Sequence, residues 1–156
     1  MSGSVFYIDG EVRDSELDVQ RGVSNHRIME YLQHARHAYF RARGFDLVRL
    51  LEDQVDPVLR ESRVKYLSFL THADAYRVTV APVRAGVQIH FLCAIFRKPD
   101  MKLCVKAIMS VVVSKDGQIS RDNILEVDEG PQGRLFQPTY ADIPDTWAAY
   151  VPQPVA

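Results

Sequence analysis

Long apolar runs are missing from this chain. None approaches the roughly 18 consecutive apolar residues that a bilayer-spanning helix requires, and the first residues lack the basic, apolar and small-residue pattern of a secretory leader. No membrane partner is expected, and the expected location is cytoplasmic. Net charge is lacking too, since 19 Lys and Arg against 20 Asp and Glu leave a formal charge of −1. No long-range positive field favours nucleic acid, so no nucleic-acid partner is expected and any phosphate-binding cation must act locally. Cysteine is scarce: Cys93 and Cys104 are the only two, with no C-x-x-C pairing. They read as small buried hydrophobes rather than as a disulfide or a nucleophile. There is no P-loop, no G-x-G-x-x-G and no EF-hand loop. Ser62, Ser68 and Ser110 sit in no G-x-S-x-G and have no neighbouring histidine in the sequence, which argues against a serine hydrolase.

What is present is a globular composition. The 156 residues are 47% hydrophobic and 25% charged, enough for one domain with a real core. That domain is expected over residues 1–130. Residues 131–156 hold five of the eight prolines and read as an irregular tail, docking through Trp147 in the stretch Thr146 to Tyr150.

The stretch from Glu16 to Phe40 organises the rest. Three acids, Asp14, Glu16 and Asp18, crowd a loop that runs into a helix expected from about 25 to 43. Ser24 suits the N-cap, and Gly44 suits the C-terminal stop. Ile28, Leu32, Ala35 and Tyr39 recur at spacings of three and four and so share a face. The start of such a helix carries free N–H groups and a partial positive charge. A carboxylate at Asp18 beside it is a base next to an oxyanion site, an arrangement suited to acyl transfer or hydrolysis.

A second, shorter amphipathic piece over 45–54 ends at Pro57. The period then changes to two. Residues 4–13, 58–70, 75–84, 87–95 and 103–113 read as strands, separated after the helices by turns at Arg84-Ala85-Gly86, Lys98-Pro99-Asp100 and Lys115-Asp116-Gly117. Short turns imply an antiparallel meander. Its apolar face needs a cover, and the 25–43 helix is the only element long enough to supply one. The expected class is α+β, a long antiparallel β-sheet wrapped around one central α-helix.

The order Asp18, a glycine and valine at 22 and 23, Asn25, and a helix closing Tyr31-Leu32-x-x-Ala35-Arg36 resembles the 4-hydroxybenzoyl-CoA thioesterase branch of the hotdog superfamily. The likeness spans roughly residues 5 to 117 and takes in Tyr66 to Asp74. Three positions depart from the pattern. Gly22 falls one residue late, with Arg21 in the usual glycine place; Asn25 stands where some branches have His; and Ile28 replaces an early aromatic.

The resemblance implies an acyl-CoA thioesterase that needs no metal or organic cofactor, with coenzyme A entering only as part of the substrate. Asp18 would be the general base or nucleophile, and Asn25 and His26 at the helix start would polarise or orient the thioester carbonyl. Glu16 and Glu30 are reserve carboxylates. Gly22, Val23 and Ser24 would contact the substrate. Tyr31 and Tyr66 would line an apolar acyl pocket, with Tyr39, Phe40 and Phe69. Arg84, with Arg60, Arg63 and Lys65, would meet the CoA phosphates. The family places its sites at a subunit interface, so a homodimer, or a tetramer, is expected. His26, His34 and His37 have helical spacing but no further ligand pattern, so no metal site is expected. Two rivals stand beside hydrolysis: a hydratase or dehydratase on the same fold, and a non-catalytic acyl-CoA-binding regulator, which Arg21 and the late Gly22 would favour.

Overall fold

The computed structural model describes residues 5–148. A 12-residue strand at one edge shows why the chain folds as it does. This strand, β2 (Val55–Tyr66), pairs only with β5 (Lys102–Lys115) within the main sheet, and most of its residues stay exposed. The other long strands are β1 (Phe6–Glu11), β3 (Ala75–Ala85) and β4 (Gln88–Lys98), and the spatial order is β1-β3-β4-β5-β2, antiparallel throughout. A two-residue strand, β6 (Gln118–Ile119), adds to β5.

The strand region differs from expectation at β2. It begins at Val55, before Pro57, because a proline's missing N–H is tolerated on an edge strand. It ends at Tyr66, short of 70, where the amides of Leu67 and Ser68 both turn onto the Cys104 carbonyl. Its ladder shifts register at Arg60, between Leu59 and Glu61.

The helix α1 (Asn25–Ala42) lies on the inner face of the sheet. Ile28, Leu32, Ala35 and Tyr39 are buried as their spacing predicts, and they meet Val78, Val80, Phe91, Cys93 and Ile95. Tyr39, Phe40 and Phe91 pack edge to face, with centroids 5.5 to 6.2 Å apart. Gly44 follows α1 at φ +89, a conformation that glycine adopts without a Cβ clash. A short helix, α2 (Leu47–Glu52), follows, capped by Asp46, whose side chain accepts from the Val48 amide at 3.0 Å.

The outer face is covered as well, by the irregular segment after β6. Ile143 and Trp147 are fully buried there against Leu92, Ala94, Phe96 and Ile108. Polar ties hold the segment down: Arg63 donates to the Pro138 carbonyl at 2.7 Å, and Lys106 meets Asp145 at 2.7 Å. Double coverage explains why β5 between Leu103 and Val113 is apolar at every position but Lys106 and Ser110. Tyr150 lies outside the described residues. Among the described residues no helix is long and apolar enough to cross a membrane.

Candidate active site

Asp18 opens a tight loop that the backbone closes on itself. Its amide donates to the Gly22 carbonyl at 2.9 Å, and the Arg21 amide donates to the Asp18 carbonyl at 2.9 Å. Leu17 bridges Val23, and Gly22 bridges Thr71. This is a three-residue hairpin loop, a turn followed by one left-handed residue. The left-handed position is Arg21, at φ 63. The residue with the conformation that favours glycine is therefore Arg21, and Gly22 is simply the next strand residue.

The Asp18 side chain is fixed by this loop. Oδ1 accepts from the Gln20 amide at 2.9 Å and from the Gly22 amide at 3.3 Å. No hydrogen bond among the described residues engages Oδ2, and the residue is exposed. One oxygen anchors the carboxylate and the other is left unengaged by the loop.

Ser24 is the N-cap of α1, but its hydroxyl makes no capping bond. Instead Oγ lies 3.1 Å from Nδ1 of His26. The Ser24 carbonyl accepts from the amides of Arg27 and Ile28. The amides of Asn25 and His26 have no partner among the described residues, so two donors remain at the positive end of the helix. Asp18, Gly22, Val23, Ser24 and Asn25 line one cleft of about 510 Å³, with Phe69 as its large apolar wall. Five of the expected site residues thus come together, and His26 stands at their edge through Ser24.

The remaining candidates fall elsewhere. Tyr31 is buried, stacks on Tyr76 with centroids 4.5 Å apart, and donates to Glu16 Oε1 at 2.7 Å. Burial, then the bond to Glu16, raises its hydroxyl pKa far above the usual 10.0. It does not line the Asp18 cleft. Glu16 is 8% exposed and also accepts from the Arg13 amide at 2.9 Å. That carboxylate holds the loop to the helix, a structural task. Glu30 pairs on the surface with Arg27 at 3.0 Å. Tyr66 is exposed at the end of β2.

Arg84 is at the opposite end of β3 from the residues beside Asp18's loop, and it donates to the Arg121 carbonyl at 2.8 Å. Arg63 and Lys65 face the outer segment, Lys65 over the ring of Tyr140 at 5.8 Å.

One adjacency was hidden from the sequence. The β4–β5 register sets His90 opposite Ser110, with Nδ1 and Oγ 2.8 Å apart. Both are buried, His90 near the start of β4 and Ser110 within β5. The pair satisfies itself. Burial pushes the Cys93 thiol up to about 12, so it is inert as a nucleophile. Among the described residues no three His, Cys, Asp or Glu side chains gather as a metal-binding group.

A curled antiparallel sheet wrapped around one helix is the hotdog architecture. A family model described as the thioesterase-like superfamily matches residues 12–145, and the chain belongs to that family. No curated protein matches the sequence. Among solved structures, the 1,4-dihydroxy-2-naphthoyl-CoA thioesterase from Synechocystis gives a TM-score of 0.70 at 11% identity, covering 76% of this chain and 89% of that one. A Staphylococcus aureus protein solved in complex with CoA gives 0.72 at 13%, covering 80% of each chain. A gentisyl-coenzyme A thioesterase gives 0.68 at 11%, covering 76% and 94%. At these identities the likeness shows the fold.

Proposed function

We propose that the protein hydrolyses an acyl-CoA thioester to a carboxylic acid and free CoA in the Asp18 cleft. The observation that carries this reading is the meeting of an anchored carboxylate, with Oδ2 free, and two unpaired amides at the α1 N-terminus. In the proposed step Asp18 takes a proton from water as the water oxygen bonds to the thioester carbonyl carbon. The amides of Asn25 and His26 donate to the developing oxyanion, where fixed donors act most strongly. The tetrahedral intermediate then expels the CoA thiolate, which receives the proton from Asp18. A direct attack by Oδ2, followed by hydrolysis of the anhydride, uses the same groups. Neither route draws on a metal or an organic cofactor.

The CoA substrate class is supported by the neighbours, two of which are named as aryl-CoA thioesterases and one of which was solved with CoA. Phe69, 75% exposed at the cleft wall, suits an apolar acyl group. A homodimer fits the unpaired edge of β2 and the exposed Leu59, Tyr66 and Leu67 along and beyond it. An open edge of this kind favours pairing with a second chain. The outer face, covered by the segment to Trp147, is a poor surface for building a tetramer.

The test is thiol release from a panel of short, medium and aromatic acyl-CoAs. Turnover of at least one substrate is expected. Binding of acyl-CoA without release of CoA from any of them would replace the hydrolase with a binding module.

A further inference from the structure

One buried hydrogen bond beside the Asp18 cleft takes part in no step of the proposed chemistry. Tyr31, in the second turn of α1, donates from Oη to Glu16 Oε1 at 2.7 Å, and Glu16 stands two residues before Asp18. Among the described residues it is the one side-chain hydrogen bond between α1 and the segment 12–23 that carries Asp18. The start of the helix has little other grip on that segment. Ser24, the N-cap, turns its hydroxyl to His26 and makes no capping bond, and its amide reaches the Glu16 carbonyl only at 3.5 Å.

Both ends of the Tyr31–Glu16 bond are held in place. The two residues are buried, where water competes least for a hydrogen bond. The Tyr31 ring stacks on Tyr76, with centroids 4.5 Å apart and planes 17° apart. Tyr76 lies over Gly10, where a Cβ would stand 2.5 Å from the Tyr76 hydroxyl, so glycine at that strand position gives the ring its seat. On the loop side, Glu16 Oε1 also accepts from the Arg13 amide at 2.9 Å, and Glu16 closes the 3-10 turn Asp14–Glu16. The bond runs from a clamped ring to a clamped carboxylate.

We propose that Tyr31 is a positioning residue for Asp18. Its bond to Glu16 fixes the angle between the 17–23 hairpin and α1, and so the placement of the Asp18 carboxylate against the amides of Asn25 and His26. The hairpin is closed on itself between Asp18 and Gly22 and between Leu17 and Val23, so it shifts as a unit, and it joins the helix through Ser24. Pairing of Gly22 with Thr71, and of the Val23 amide with the Leu70 carbonyl, holds its outer edge. Tyr31 holds the side towards the helix. A displacement of about 1 Å between a base and its oxyanion donors can cost about a hundredfold in rate. The inference rests on the proposed hydrolysis at Asp18, and it adds a residue that touches neither substrate nor reacting atoms.

Tyr31→Phe severs the tie and keeps the ring, its stack on Tyr76 and its packing. In the full chain it should lower kcat for the best acyl-CoA by about tenfold, with KM within about twofold, because alignment matters at the transition state. Glu16→Gln keeps a carbonyl oxygen for the Tyr31 hydroxyl and the Arg13 amide, and should hold kcat within about threefold of wild type. Tyr31→Phe combined with Glu16→Ala should be no slower than the slower single variant, as expected for two ends of one contact. Thr79→Val is the control: it removes a buried hydroxyl that bonds the Ala94 carbonyl at 3.4 Å, and it should leave kcat unchanged. In nitrogen–proton correlation spectra, the amides of Gln20, Gly22 and Asn25 should shift or broaden in Tyr31→Phe and not in Thr79→Val. That arm needs no turnover. Absence of thiol release even from wild type would sink the hydrolase, while the spectra would still decide whether Tyr31 places the loop.

Wild-type kcat with unmoved spectra in Tyr31→Phe would overturn the proposal. An equal loss of kcat in Thr79→Val would do the same, by reducing Tyr31 to general stability. So would a fall in Glu16→Gln as deep as that in Tyr31→Phe, which would make the charge of Glu16, and not the bond, the working part. Should Tyr31→Phe fail to fold, Glu16→Ala cuts the same bond from the loop side and carries the same expectations.

Discussion

The two faces of the sheet are both covered, and by opposite means. On the inner face one 18-residue helix supplies a regular stripe, so Ile28, Leu32, Ala35 and Tyr39 reach the core from a single rigid element. On the outer face a segment with only short 3-10 turns supplies isolated anchors, Ile143 and Trp147, fastened by Arg63 to Pro138 and Lys106 to Asp145. Periodic packing spreads its stabilisation over many contacts. Anchored packing concentrates it in a few, and those few should be disproportionately sensitive.

Trp147→Ala tests this most severely. The side chain is 2% exposed, and truncating a buried tryptophan costs about 3–5 kcal/mol. Leu32→Ala on the inner face should cost about 2–5 kcal/mol, so chemical denaturation should rank the outer anchor at or above the helix residue. A Trp147→Ala cost below about 1 kcal/mol would make the outer segment an ornament. Glu16→Ala comes next. It leaves the Tyr31 hydroxyl buried without its acceptor and frees the Arg13 amide, a loss of about 1–3 kcal/mol readable in the same denaturation curves. Glu16→Gln should recover part of that loss by restoring an acceptor.

The smallest effect has the opposite sign. Arg21→Gly relieves a left-handed residue at φ 63. That relief, less the extra freedom glycine has in the unfolded chain, should stabilise by about 0.5–1 kcal/mol. A loss of stability would mean that the arginine side chain holds the loop.

The inner face was legible in the sequence because its code is periodic. Spacings of three and four fixed α1, and alternation fixed the inward residues Val78, Val80, Phe91 and Cys93. The outer face has no period to read; only Trp147 stood out, as the chain's single tryptophan in a proline-rich segment. The site was legible in part for the same reason. Asp18 to Asn25 are close in sequence, so the cleft they line is a local structure. Tyr31 and Arg84 are placed by long-range pairing, which turns Tyr31 inward onto Glu16 and Tyr76 and carries Arg84 to the far end of β3. His90 and Ser110 met only because the β4–β5 register set them opposite each other. Arg36 looked like the polar end of a helix motif, and its burial depends on α2 and β2 closing over it.

The most direct test of the central claim compares wild type with Asp18→Asn in thiol release, alongside CoA-thioester binding by calorimetry. Asparagine keeps the Oδ1 contacts to Gln20 and Gly22 but cannot take a proton or attack. Loss of kcat/KM by about a hundredfold or more, with binding and folding intact, is the predicted result. Turnover within a few-fold of wild type would contradict it, and would move the chemistry away from the carboxylate at the start of α1.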